Sequence, residues 1–200
     1  MELKKLPFTK ALDGISEQTI AIHHDKLYAG YVKKSEEIRD ALSPLEQGGD
    51  VSSANQSYSQ LRSLKTDETF ALNGVYLHEY YFDVLGGDGM PSGALVDALA
   101  KRFGSIENFM SYMTGCGMAA RGWVVLAWDM QSSSLQVYTG DAHNHGGVWG
   151  CLPIIVLDVY EHAYFIDKGS DRKAYIEQFW KNLNWATANQ LYEKAKKISA

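Results

Sequence analysis

The residues best equipped for chemistry gather in Asp158-Val159-Tyr160-Glu161-His162. An aspartate and a histidine four positions apart point the same way only where helical or tightly turned backbone begins, and both are ligands for first-row metals. The same residues also suit a helix N-cap aspartate followed by a surface histidine, so this motif alone is weak. His23 and His78 shift the balance. Each lies near the middle of an apolar helical pattern, where an unpaired imidazole is costly to bury. One such histidine is more often a satisfied core residue than a ligand. Two of them, one on each arm of an antiparallel helical hairpin, could face each other. Three imidazoles and one carboxylate suit iron, manganese, zinc or copper and disfavour calcium and magnesium. Spacing does not choose among the four.

The elements that must position these groups follow from periodicity and caps. Ser16 is a candidate N-cap for a helix carrying Ile20, His23, His24, Leu27, Tyr31 and Ile38 as far as Leu42, with a stop at Pro44. After Gly48-Gly49, Ser53 to Leu64 reads as a short polar helix. A second strong pattern starts near Thr66-Asp67 and places Phe70, Val75, Leu77, His78, Phe82 and Leu85 on one helix ending at Gly86-Gly87. Residues 1–86 therefore read as a helical hairpin domain, and Gly86 to Gly93 as the linker to a second domain, 87–200. That part opens with amphipathic helices over Ser92 to Phe103 and Ser105 to Met113. Gly122 to Asp129 and Leu135 to Thr139 then predict a β-hairpin turning at Gln131 to Ser134. A loop rich in glycine and histidine, Gly140 to Gly150, leads to a third strand, Leu152 to Leu157. From Asp171 the tail is helical, with Tyr175, Phe179, Leu183 and Leu191 as its buried positions.

Composition bounds the rest. With 200 residues, 46% hydrophobic and 22% charged, the chain is an ordinary globular one, which excludes disordered, collagenous and fibrous classes. A chain this long hides about 70% of its unfolded surface and needs no disulfide or metal staple for stability. Lys and Arg number 19 against 24 Asp and Glu, and the resulting charge of -5 argues against nucleic acid as the main partner. Cys116 and Cys151 form neither a zinc knuckle nor a disulfide framework, in keeping with a reducing cytosol. The start, Met1 to Pro7, has no signal-peptide apolar stretch, and the longest apolar runs fall far below the roughly 20 residues that span a bilayer. The expectation is a cytoplasmic, soluble chain without a membrane partner. The glycosylation sequon Asn55-Gln56-Ser57 carries no weight without secretion.

At the candidate ligands the sequence resembles the iron/manganese superoxide dismutase family, over nearly its whole length from Leu6-Pro7-Phe8 to Trp185. The matching motifs occur in the family's order: Ile22-His23-His24-Asp25-Lys26 with Tyr31-Val32; Leu77-His78-Glu79-Tyr80-Tyr81; Gly122-Trp123; Leu157-Asp158-Val159-Tyr160-Glu161-His162-Ala163-Tyr164; and Tyr175 to Trp180 with Asn184-Trp185. The resemblance implies an α+β fold: an N-terminal helical hairpin, then a domain with a three-stranded antiparallel sheet, and the metal between them. It implies that His23, His78, Asp158 and His162 bind one iron or manganese ion per subunit, with solvent as fifth ligand. It further implies disproportionation of superoxide, and a homodimer or tetramer whose Glu161 and Tyr164 bridge subunits.

The resemblance also makes Tyr31 a proton-relaying residue at the substrate funnel and Lys26 and Arg172 the funnel's basic residues, since an anionic substrate needs local positive potential. Relatives supply a glutamine near the bound solvent, either from the helix four positions before the second ligand histidine or from the loop before the third strand. Gly74 stands at the helix position here, so His143 takes the glutamine's place in the loop, with His145 as the competing candidate. A histidine there is expected to donate to solvent while titrating near neutrality, altering the potential and the pH profile. Leu27 replaces a common funnel histidine. Phe82, Val125 and Tyr160 replace common tryptophans, and the Tyr160 hydroxyl then needs a partner.

Overall fold

The computed structural model describes residues 1–198. Ser16 caps the first helix as expected, its Oγ accepting the Thr19 N–H at 3.2 Å. Helix α1 (Glu17–Ile22) continues into a π-helical turn, His23–Tyr28, and then into α2 (Ala29–Glu46). Pro44 does not stop this helix. It sits inside the last turn, and the carbonyls around it are closed by Gln47 N–H on Ser43 O at 3.1 Å and Gly49 N–H on Pro44 O at 3.0 Å.

The expected polar helix from Ser53 and the later start at Thr66 are corrected to one element, α3 (Gln60–Asp83). Ser59 is its N-cap, accepting the Arg62 N–H at 3.3 Å. The residues before it form turns held by Asn55, whose Oδ1 accepts the N–H groups of Ser57 and Tyr58 at 2.9 and 2.8 Å. Thr66 and Asp67 are cap-forming types, but here they simply line the exposed face of a continuous helix. The hairpin is antiparallel. His23 meets His78 near one end, and Ile38 and Leu42 pack on Ala71 further along.

In the second half, Gly93, at φ 93°, turns the chain into α4 (Ala94–Phe103), two residues after the expected start. Ser105 Oγ accepts the Asn108 N–H at 3.1 Å to begin α5 (Ile106–Ala119). This helix outruns its expected end at Met113. Gly117 lets it lie close to the later chain, since a Cβ there would stand 2.8 Å from Ile176 Cδ1. Strands β1 (Trp123–Asp129), β2 (Ser134–Gly140) and β3 (Cys151–Asp158) form an antiparallel sheet in the order β2-β1-β3. The register sets Trp123 between Gly140 and Asp158.

After a 3₁₀ turn at Glu161–Ala163 come α6 (Phe165–Lys168), α7 (Arg172–Lys181) and α8 (Trp185–Ile198). The expected helical tail is therefore broken at residues 182–184. Their polar groups are claimed from elsewhere: Asn182 Oδ1 accepts from Asp13 N and its Nδ2 donates to Asp13 O, both at 2.8 Å, while Asn184 N–H reaches Val84 O at 2.8 Å. Tyr175, Phe179 and Leu183 are buried as expected. Leu191 is only half-buried, because Ala188, Tyr192 and Ala195 form the inner face of α8. The main apolar core runs from Leu12 to Tyr192 through both halves of the chain, beside the smaller cluster of Ile38, Leu42 and Ala71.

Gly87 packs against the break, where an added Cβ would lie 2.2 Å from Leu183 O, a backbone atom that cannot swing away. Gly87→Ala is expected to lower the unfolding free energy by about 3 kcal/mol, the upper end for overpacking. Urea denaturation of the two proteins side by side measures it.

Candidate metal centre

Four side chains from four elements converge. His23 comes from the π-helical turn, His78 from α3, Asp158 from the end of β3 and His162 from the 3₁₀ turn; one ligand atom of each lies within 4.8 Å of the others. Asp158 and His162 do share a face, but through a strand end and a tight turn rather than a helix. Asp158 Oδ1 accepts the Tyr160 N–H at 2.9 Å, which aims Oδ2 at the histidines. From Oδ2 the Nε2 atoms of His23, His162 and His78 lie at 3.1, 3.1 and 3.8 Å. His23, His78 and Asp158 are fully buried, and the His162 side chain is 27% exposed.

The donor set fits a first-row metal ion. The His78 ring donates from Nδ1 to Gly74 O at 2.5 Å, which leaves the Nε2 lone pair facing the cluster. Yet His78 Nε2 and both His23 ring nitrogens are buried and have no hydrogen-bond partner among the described residues. The 3.1 Å approach of His23 to Asp158 is out of line for such a bond. Unpartnered buried nitrogens converging on a buried carboxylate are costly unless a cation joins them. Protonation states agree. Burial pushes His23 down and His78 down to about 3, which keeps both neutral. Burial alone would raise the Asp158 carboxyl, but His162 and His23 outweigh it and hold the group well below the usual range. For His162, burial pulls down and Asp158 more than restores it, giving a net rise. His23 and His78 are thus in the neutral form and Asp158 in the ionised form that metal binding requires, while His162 would give up its proton to a bound cation.

His143 lies beside this cluster, 5% exposed. Trp123 Nε1–H donates to His143 Nδ1 at 2.9 Å, and His143 Nε2 is 2.7 Å from Tyr31 Oη. An indole nitrogen only donates, so His143 Nδ1 must accept. Its single proton is therefore on Nε2, donated to Tyr31 Oη, and the Tyr31 O–H is free to donate onward. Burial pushes His143 down to about 4, which corrects the expectation of titration near neutrality. His145 is exposed and lies outside this chain of bonds. Gly74 accommodates Tyr31, since a Cβ there would stand 2.8 Å from the tyrosine ring. Tyr31 is half-buried, and burial raises its pKa.

The other expected residues lie around the centre. Lys26 is exposed. Arg172 donates to Ala120 O at 2.6 Å, Gly117 O at 3.3 Å and Tyr164 Oη at 3.2 Å. Glu161 is exposed and Tyr164 buried; Leu27 and Val125 are half-buried. Phe82 packs against His23, and the Tyr160 ring stacks on His162 with its hydroxyl finding Asp141 O at 3.3 Å. Two roles escaped sequence reasoning. Trp123 was visible only as a motif residue, because its bond to His143 depends on strand register. His24 is a satisfied core histidine, with Nε2 2.8 Å from Lys4 O and Nδ1 2.7 Å from Asp25 Oδ1.

Fold and site together define an α+β metalloprotein with a buried site of three histidines and one aspartate. Residues 91–191 match the family model described as iron/manganese superoxide dismutases, C-terminal domain. The chain is 43% identical over 188 residues to superoxide dismutase [Fe] of Aquifex pyrophilus, covering 93% of this chain and 88% of that protein. It is 35% identical over 199 residues to superoxide dismutase [Mn] 1 of Halobacterium salinarum, covering 97% and 96%. With superoxide dismutase [Fe] of Cupriavidus metallidurans it shares 35% over 191 residues, covering 94% and 93%. This chain belongs to the iron/manganese superoxide dismutase family.

The unfolded chain protonates His143 below about pH 6.5, whereas the folded chain resists until about 4. This residue's contribution to stability is thus present above pH 6.5 and lost as pH falls through that window. Nitrogen-15 NMR of the folded protein is expected to show His143 neutral, with its proton on Nε2, from pH 5 to 8.

Proposed function

We propose that the chain is a superoxide dismutase, converting two superoxide ions and two protons to dioxygen and hydrogen peroxide. The observation that carries this reading is the buried convergence of His23, His78, His162 and Asp158 within 4.8 Å. These four residues would hold one iron or manganese ion per subunit, and the bound ion supplies one-electron redox chemistry by cycling between its +3 and +2 states. The charge of Asp158 favours the more positive state.

The protons are the business of the other side chains. Tyr31 is the proton-donating residue: its phenol is kept protonated by burial, and His143 occupies its acceptor side, so its O–H points onward. His143 orients Tyr31, and Trp123 orients His143. Lys26 and Arg172 form the basic part of the substrate funnel and offset the charge of -5 for an approaching anion. The chain divides functionally into a hairpin unit, 1–86, and a sheet unit, 87–200, with two ligands from each. The working enzyme is an antioxidant homodimer of the cytoplasm, with Glu161 and Tyr164 at the subunit interface. Phe165 and Ile166 beside them, 54% and 48% exposed, support an apolar contact there. Among the described residues no helix is long and apolar enough to cross a membrane.

Separate reconstitution with iron, manganese and zinc tests the reading. Activity is expected with iron or manganese and none with zinc, and His162→Ala is expected to lose both metal binding and activity. Full activity from metal-free protein would sink the proposal. Substituting His143 tests the proton path. Glutamine can accept from Trp123 and donate to Tyr31, so His143→Gln should stay within about 10-fold of the parent. His143→Leu, which leaves Tyr31 without the partner that orients it, should lose about 100-fold in kcat, the scale for a misplaced reacting group.

A further inference from the structure

The ligands from the helical hairpin are each followed by a residue that turns away from the metal centre, and both of those residues reach Lys4. His24, after His23, has Nε2 at 2.8 Å from Lys4 O. Glu79, after His78, pairs with Lys4 Nζ. Tyr28, the last residue of the π-helical turn, closes the circuit: its Oη accepts the Lys4 backbone N–H at 3.2 Å and its O–H donates to Glu79 Oε1 at 2.9 Å. The Tyr28 ring is 1% exposed and lies face to face with His78 at 6.3 Å.

We propose that Tyr28 is a positioning residue for the metal centre: its hydroxyl, held between Lys4 and Glu79, staples the π-helical turn to α3 and so sets the spacing of His23 and His78. The inference rests on the reading of those histidines as ligands. The circuit is placed to do this because His24 and Glu79 each adjoin a ligand in sequence and Tyr28 ends the turn that begins at His23. The His23 and His78 rings, 5.0 Å apart, have no direct hydrogen bond to fix their separation. The Lys4 ammonium contributes little, since its side chain is 62% exposed and exposed ion pairs are weak. The backbone of Lys4 and the Tyr28 hydroxyl carry the staple. Burial and the neighbouring Glu79 carboxylate push the Tyr28 phenol up to about 12, so it remains a donor at working pH.

The test is the rate at which manganese-loaded protein releases metal to excess chelator, alongside unfolding midpoints of the loaded and metal-free forms. Tyr28→Phe keeps the ring and removes the staple; release is expected to be about 10-fold faster, the low end for disturbing partners of ligating histidines. The loaded midpoint should fall further than the metal-free one, because weakened binding subtracts from the loaded form alone. Lys4→Ala, which leaves the backbone bonds in place, should release metal at the parental rate. Glu79→Gln, which still offers an oxygen to Tyr28, should give a smaller increase than Tyr28→Phe, and it reports on the staple if the phenylalanine variant does not fold. An unchanged release rate in Tyr28→Phe, with both midpoints lowered equally, would reduce Tyr28 to a structural residue and overturn the proposal. Parental protein that holds neither manganese nor iron would instead overturn the ligand assignment, and the staple with it.

Discussion

A carboxylate with no solvent exposure governs this structure. Asp158 is ionised and fully buried, and an isolated charge in such a place costs several kcal/mol even after relaxation. Compensation comes from three directions: a backbone N–H at Tyr160 and the His162 and His23 rings. Tyr160 and His162 belong to one tight turn and His23 to the π-helical turn, so the fold has to bring together a strand end and two turns, with His78 added from a long helix. The sheet register meets part of this demand by setting Asp158 beside Trp123. The antiparallel hairpin meets the rest by bringing His23 and His78 to the same level.

Trp123 gives the site its polarity as well as its register. Because the indole can only donate, the imidazole of His143 has one nitrogen permanently engaged as an acceptor. A histidine that relays protons takes one up at one nitrogen and releases another from the second. His143 cannot do this without losing its bond to Trp123, and burial opposes the charged intermediate form. The ring is therefore a dead end for protons, and in the proposed mechanism Tyr31 is resupplied from the solvent side. A glutamine at the same place would have the same one-way character, its oxygen accepting from Trp123 and its amide nitrogen donating to Tyr31.

Much of this was legible in the residues themselves. Ser16 and Ser105 cap helices where their types and positions say they should, and histidines on otherwise apolar faces pointed to a buried polar site. What failed had tertiary causes. The residues around Thr66 look like a helix start by type, but Ser59 already provides the cap and the helix runs through. The π-helical turn adds no signal at a period of 3.6 residues, although it carries a ligand and the histidine beside it. The tail looked continuous because nothing local announces that Asn182 will spend its amide on Asp13. The low pKa of His143 depends on burial, which a glycine-rich loop sequence gives no reason to expect.

The bond between Asp13 and Asn182 joins residues 169 positions apart, and Val84 O waits for Asn184 in the same way. Contacts of such separation are slow to form, because loop closure has to precede any reward from them. During synthesis the helical hairpin emerges first, with the polar backbone near Asp13 unpaired and half of the metal ligands still to be made. His162 and the break that closes the core emerge only after the hairpin and the sheet. A nascent chain of this protein thus has no complete site for a redox metal until the third strand and the turn after it have followed the hairpin, which delays redox chemistry until the core can enclose it.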